Sequence, residues 1–353
     1  MHSLNEEFLK SLIFKSEQLT VLRTIGEYQG KQELYFKQSP EILKGLQQVA
    51  IIESSESSNR LEGITAPHHR IAGLISQDTL PKDRSEQEIA GYRDALNLIH
   101  QSAKHMPFSI NIVLQLHSWL YRYLPHSGGK WKTTDNEITE IHPDGKKRVR
   151  FIPSNAFETP SAMENLITNY QMSIEKWHIE PLIIIPSTIL DFLCIHPFHD
   201  GNGRTARLLT LLLLYHFDYR VGKYISLERI FEESKESYYE TLEKSSQGWH
   251  QGKHNLMPWM TYFWGVLLKA YKEFEGRVGT LTTGKGSKTQ HIYITIENMI
   301  GPFSISDIEH ACPSVSRDTI RMALRQLRDK GMIIPQGKGR NAKWIRKGKD
   351  HSR

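Results

Sequence analysis

Cysteine is almost absent: Cys194 and Cys312 are the only two in 353 residues, so a disulfide framework is excluded. One lies in an apolar run and the other precedes Pro313, which fits a reduced, cytoplasmic protein. Long hydrophobic runs are also missing. The most apolar stretches, Pro181 to Cys194 and Leu208 to Leu214, are too short or too interrupted to span a bilayer, so no membrane partner is expected. No basic segment followed by an apolar core opens the sequence, so secretion through a signal peptide is not expected. No internal repeat or low-complexity tract stands out. What is there, 39% hydrophobic and 24% charged residues, is an ordinary globular composition over a length that suits two or three modules.

Charge is unevenly spread. From Lys285 to the end there are 14 Lys and Arg against 6 Asp and Glu, a net +8, whereas the whole chain carries only +6. All the basic excess is therefore C-terminal, which points to a separate module with an acidic partner.

The densest chemistry lies in His196-Pro-Phe-His-Asp-Gly-Asn-Gly-Arg-Thr-Ala-Arg207. Gly201 and Gly203 flank Asn202, so the turn reaches positive φ at little steric cost, and successive N–H groups can face one concavity. The leucine-rich run from Leu208 predicts that this loop opens a helix, whose N-terminus adds unpaired donors for phosphate. Arg204 and Arg207 are three apart, on one face of that first turn, and each can fork onto phosphate oxygens. Asp200 is a hard oxygen ligand suited to Mg²⁺ bridging phosphates, and His196 has the pKa of a general base. A transition-metal site is the competing reading of His-x-x-His-Asp, but Pro197 disrupts the helix that such i, i+4 ligation uses. A purely structural loop would not need two arginines beside a nest.

This motif resembles the signature of the Fic (filamentation induced by cAMP) family, H-x-F-x-[D/E]-G-N-G-R-x-x-R, at every fixed position. The resemblance implies a mainly α fold and transfer of AMP from ATP to a Ser, Thr or Tyr hydroxyl of a target protein. His196 would deprotonate that hydroxyl and Asp200 would hold Mg²⁺. Gly201, Asn202, Gly203, Arg204, Thr205, Ala206 and Arg207 would bind the nucleotide, Asn202 with the loop amides at the α- and β-phosphates and the arginines at the β- and γ-phosphates. Phe198 would be a buried anchor, and His199 is assigned no role. Tyr238, Tyr239 and Ser246 fall where related proteins contact adenine and ribose; packing on a helix is the alternative. Removal of AMP and transfer of another nucleotide are alternatives that the resemblance also allows.

Along the chain, helical spacing marks 41–52, 88–100, 109–123, 161–177 and 186–194. Between them, 137–141 and 147–151 are β-prone runs around Pro143-Asp144-Gly145, a hairpin signal. In Fic proteins a hairpin at this place, the flap, pairs with the target, so Glu137, Ile138, Thr139 and Glu140 would be the flap strand. Upstream, Ser58-Asn-Arg-Leu-Glu62-Gly63 matches [S/T]-x-x-x-E-[G/N], the inhibitory helix of autoinhibited members. A class II arrangement is implied, with Glu62 pairing to Arg207 and Ser58 in the same motif.

The expected organisation is an N-terminal helical region with the inhibitory helix (1–105), an all-α Fic core with its hairpin flap (106–275), a linker (276–289) and a winged helix-turn-helix (290–353). In the last, Ile292 to Ile300 and Ser304 to Ala311 read as helices, and Ser316 caps a third. Ile320, Leu324 and Leu327 form the buried stripe of that third helix, and Arg317, Arg321, Arg325 and Arg328 a basic one. Gly331 ends it, 332–334 and 343–345 read as wing strands, and Gly337 to Arg340 is the wing tip. Such a module suits DNA or an acidic protein. A nucleotide-sensing, DNA-binding regulator is thus the reading from a different class. A second copy of the chain, forming a homodimer, stays open as a partner.

Overall fold

The computed structural model describes residues 3–36, 40–75, 79–141, 147–279, 289, 292–293, 295–296, 302–312, 315–337 and 343–346. The chain divides into two compact units, Met1–Glu273 and Phe274–Arg353. Residues 1–273, which take in the segment expected as 1–105 and nearly all of that expected as 106–275, fall in the first unit.

The first unit, whose last helix runs on past Glu273, is helical: α1 (Glu6–Lys10), α2 (Ser16–Phe36), α3 (Pro40–Leu61), α4 (His68–Ile75), α5 (Arg84–Ser102), α6 (Ile110–Leu120), α7 (Thr159–Glu175), α8 (Pro181–Ile195), α9 (Asn202–His216), α10 (Leu227–Glu233), α11 (Lys235–Ser246) and α12 (Met257–Gly279). A two-stranded antiparallel sheet, β1 (Ile138–Ile141) and β2 (Lys147–Phe151), lies between α6 and α7 in sequence. The expected linker overlaps α12, which continues through Gly276 to Gly279 because its helical pattern outlasts the first glycine; residues 280–288 lie outside the described residues.

At the centre stand α8 and α9, buried on nearly every side: α8 is apolar on almost all faces, whereas in α9 a leucine run follows a polar first part, with Arg204 and Arg207 buried. Sequence spacing predicts that the α8 helix begins at Pro186, but it begins at Pro181, where a proline at the first turn costs no hydrogen bond. Pro186 is internal instead. It lacks the N–H that Leu182 O would accept within the helix, and the Trp264 indole N–H of α12 donates to that carbonyl at 2.7 Å. Trp259 donates to Pro186 O at 2.9 Å, so α12 staples the same turn twice.

Asp191 of α8 is fully buried, which pushes its carboxyl above the usual range. It is answered by the Trp249 indole at 2.6 Å and by the N–H and hydroxyl of buried Ser3. The N-terminal segment is thereby tied to the helix that ends at His196. Helix α3 is held by a second buried network: Ser54 Oγ donates to Glu228 Oε2 at 2.7 Å, and Tyr92 Oη donates to Glu228 Oε1 at 2.8 Å. No helix among the described residues is long and apolar enough to cross a membrane.

The second unit contains β3 (Phe303–Ser304), α13 (Ile305–Ala311), α14 (Arg317–Asp329), β4 (Ile333–Gln336) and β5 (Lys343–Arg346). Its strands form one antiparallel sheet in the order β3-β5-β4. Of the helix expected over 292–300, residues 292–293 and 295–296 are helical and the rest lie outside the described residues, as do wing-tip residues 338–340.

The α8–α12 staple makes a prediction. Trp264→Phe should cost about 2–3 kcal/mol, since it leaves a buried carbonyl without a donor and opens a cavity. In a Pro186→Ala background the cost should be smaller, because residue 186 regains an N–H. A urea-denaturation double-mutant cycle measures this, and strictly additive costs would contradict it.

Candidate active site

Helix α8 ends on His196, whose φ of +51° is left-handed and unusual for a residue with a side chain. Its N–H still closes the helix onto Phe192 O at 2.9 Å. Nδ1 lies 3.2 Å from Leu193 O, and a carbonyl only accepts, so Nδ1 carries the proton and Nε2 the lone pair. Burial lowers the His196 pKa to about 4. The bond to Leu193, Glu62 and Asp200 oppose that shift, and Lys132 reinforces it. At neutral pH the imidazole is therefore an unprotonated base.

The loop that follows is shaped by its own side chains. Asn202 accepts from Phe198 N–H at 2.9 Å and donates to Phe198 O at 2.7 Å. The buried Phe198 ring stacks on His117, with centroids 3.6 Å apart and planes 4° apart. His117 donates from Nε2 to Asp200 O at 3.0 Å and accepts Gly129 N–H on Nδ1 at 2.8 Å. Burial lowers its pKa to about 4. Gly201 has φ +78°, and a Cβ there would press against His117 and Tyr121, which explains the glycine. A segment preceding the hairpin braces the other side. Lys132 N–H donates to Pro197 O at 2.8 Å, and its buried ammonium donates to Ile195 O at 3.1 Å. Thr133 N–H donates to His199 Nε2 at 3.1 Å and Asn136 Nδ2 to Phe198 O at 3.0 Å. His199, given no role from sequence, thus helps to hold the loop.

The two arginines differ. Arg207 is 2% exposed; Nε donates to Ser58 Oγ at 2.8 Å, and Nη2 donates to Ser58 O at 2.8 Å and to Glu62 Oε1 at 2.7 Å. Glu62 is 32% exposed, just beyond the end of α3, and is followed by Gly63 at φ +79°. Arg204 is 1% exposed and pairs with Glu88 Oε2 at 2.6 Å, a carboxylate itself 4% exposed that also takes Arg84 at 2.9 Å. Burial raises the cost of ionising Asp200. Arg204, the Gly201 N–H at 2.7 Å and the Tyr121 hydroxyl at 3.0 Å outweigh it and hold the carboxyl below its usual range.

A cavity of about 520 Å³ opens beside these groups. His196, Gly203, Arg207 and Glu62 form one wall, Ile138, Thr139 and Glu140 of β1 another, and Tyr238, Tyr239 and Ser246 of α11 a third. Glu137 lies just before β1 and does not line it. Nor do Gly201, Asn202, Arg204, Thr205 and Ala206, all expected at the nucleotide. The Asn202 amide is engaged with Phe198, Arg204 with Glu88, and Thr205 Oγ1 with Gly201 O at 2.9 Å, while Ala206 is packed in the core. The start of α9 has no side-chain cap, so its first-turn N–H groups remain available to a ligand. Sequence reasoning missed Glu88, His117, Tyr121, Lys132 and Asn136. It also missed Arg150, which reaches Glu243 at 2.9 Å along the cavity wall.

Residues 107–214 match the Fic/DOC family. The chain carries a Fic/DOC domain. Over 197 residues, 54% of this chain and 42% of the relative, it is 23% identical to protein adenylyltransferase Fic of Nematostella vectensis. A stretch of 61 residues, 15% of this chain, is 41% identical to a ribonucleoside-diphosphate reductase small chain of Ostreid herpesvirus 1, and spans 10% of it. The chain therefore spans less than half the length of these curated relatives. A crystal structure of a Fic family protein from Desulfovibrio desulfuricans G20 shares the fold, with a TM-score of 0.61 at 19% identity, over 97% of this chain and 99% of that one. Around the Fic motif the mainly helical fold and the small sheet are as expected.

Two predictions follow from the geometry. Glu88→Ala strands a buried guanidinium and should cost about 3–5 kcal/mol, whereas Glu62→Gly should cost less, because Glu62 is itself 32% exposed and Ser58 still gives Arg207 two acceptors. Chemical denaturation compares them; equal losses would refute the distinction. The second concerns pH. His117 and His196 bind protons more weakly folded than unfolded, so their contribution is complete above pH 6.5 and is lost as pH falls toward 4. Thermal midpoints should be level above pH 7 and decline from pH 6.5, before the carboxylates titrate. A flat profile down to pH 5 would contradict this.

Proposed function

We propose that this chain is a protein adenylyltransferase held in check by Glu62. The observation that carries the reading is the pairing of Arg207 with Glu62 on the wall of a cavity that also holds the unprotonated Nε2 of His196. In the working state ATP occupies the cavity, with its adenosine toward Tyr238, Tyr239 and Ser246. Its phosphates lie against Gly203, the first-turn N–H groups of α9, and Arg207. The hydroxyl oxygen of the target side chain attacks the innermost phosphorus while Nε2 of His196 takes its proton. The bond from that phosphorus to the bridging oxygen breaks, and pyrophosphate leaves.

Among the described residues no group of three His, Cys, Asp or Glu could cage a metal, but a cation held mostly by phosphates and water needs only one carboxylate. Asp200 fits: it is ionised, exposed and joined to the same loop. Mg²⁺ there would offset phosphate charge. Arg204, locked to Glu88, orients Asp200 from 3.5 Å.

Glu62 acts as the brake because it occupies the guanidinium edge that the γ-phosphate needs. A Cβ at Gly203 would collide with Glu62 Oε1, which measures how closely the carboxylate lies over the phosphate-binding turn. Strand β1 pairs with β2 on one edge, and an extended target segment added to its other edge would be registered over the nucleotide. Glu62→Gly should raise AMP incorporation into the protein itself by about tenfold or more, and His196→Ala in that background should abolish it. Labelled ATP and gel autoradiography read both. No gain from Glu62→Gly removes the brake, and transfer that survives His196→Ala removes the base.

A further inference from the structure

The second unit has a core of its own, built on Ile292, Phe303, Ile308, Ile320, Leu324 and Leu327. Ser304 and Asp307 form a reciprocal capping box that starts α13, and Ser316 caps α14 through Thr319 N–H. Five residues separate the two helices, and β4 and β5 follow at once. Helix α14 buries Ile320, Ala323, Leu324 and Leu327. Its opposite face exposes Arg317, Arg321, Arg325 and Arg328.

Two features make this face more than a solvated one. First, its acids do not neutralise it. Arg317, Arg321 and Arg328 reach Glu309, Asp318 and Asp329 at 3.1, 3.2 and 2.8 Å, but these are surface pairs, weak and easily exchanged for another anion. Arg325 has no ion pair among the described residues. The segment from Lys285 on carries +8 while the rest of the chain carries −2. Second, the row has a length that fits. From Arg317 to Arg328 it runs about 16 Å along the helix axis, enough to cross a major groove about 12 Å wide. Its ends then meet the two phosphate backbones and its middle meets the base edges.

We propose that this unit is a winged helix-turn-helix that binds double-stranded DNA. Helix α14 lies in the major groove, with Arg317 and Arg328 on phosphates of opposite strands and Arg321 and Arg325 on base edges. Strand β4 packs against α14 and pairs antiparallel with β5, so the two strands stand beside this helix in the manner of a wing. The inference stands apart from the nucleotidyl-transfer reading, since it uses none of the same residues.

The test is fluorescence anisotropy of the full chain with a labelled duplex of mixed sequence, titrated over a range of salt. Binding should weaken steeply with salt. The pair Arg317→Gln/Arg328→Gln should lower the log–log slope by about 2, one for each lost phosphate contact. The pair Arg321→Gln/Arg325→Gln should weaken binding tenfold or more, and Arg23→Gln, an exposed site in the first unit, should change nothing. Circular dichroism melts confirm that each variant folds. No binding at low salt overturns the proposal, as does a loss from Arg23→Gln equal to that from the α14 pairs. Capture of an acidic protein with no affinity for DNA would overturn it as well.

Discussion

A guanidinium that is 2% exposed has to be paired, and the rest of this site is arranged around that demand on Arg207. A charge withdrawn from water costs several kcal/mol unless an anion and hydrogen-bond acceptors replace the solvent. Ser58 supplies two acceptors permanently, and Glu62 supplies the anion. Arg204 lives under the same rule with a different outcome. Its partner, Glu88, is 4% exposed and sits inside the helical core, whereas Glu62 is 32% exposed at the rim of a cavity. One arginine is paired inside the helical core and the other at a cavity wall, and in the proposed function only the second exchanges its carboxylate for a phosphate.

The base is prepared by comparable means. His196 is fixed at a left-handed helix end and kept neutral by burial, and its tautomer is set by Leu193 O. The helix that carries it is stapled by two tryptophans of α12 and tied at Asp191 to the N-terminal segment. The loop beyond it is gripped by His117 on one side and by Lys132 to Asn136 on the other. The latter segment runs directly into β1, so the hairpin edge and the loop after His196 share one foundation.

How much of this the sequence revealed depends on the range of the interaction. The motif is local, so its base, carboxylate, glycines and arginines could be read within twelve consecutive positions. Helical spacing found α5, α6 and α7 to within a few residues, because each shows its apolar stripe along its own length. Partners contributed by distant helices could not be read this way. Glu88 reaches Arg204 across 116 positions, and no periodicity announces which exposed-looking glutamate will be buried by another helix. Glu62 lies 145 positions from Arg207 and was found through the inhibitory motif alone. Asn202 shows the limit of reading residue types: an amide beside a phosphate loop suggests a ligand contact, yet its hydrogen bonds fold the loop. Pro186 misled the placement of α8 because the compensating donor, Trp264, is 82 residues away at Leu182.

The account turns on whether Glu62 and the γ-phosphate compete for Arg207. Calorimetric titration of ATP and AMP into the unmodified chain and into Glu62→Gly, both with Mg²⁺, tests that competition without any target protein. The account predicts that Glu62→Gly tightens ATP about tenfold or more and leaves AMP, which has no γ-phosphate, unchanged. Equal gains for both nucleotides, or no gain for ATP, would contradict it.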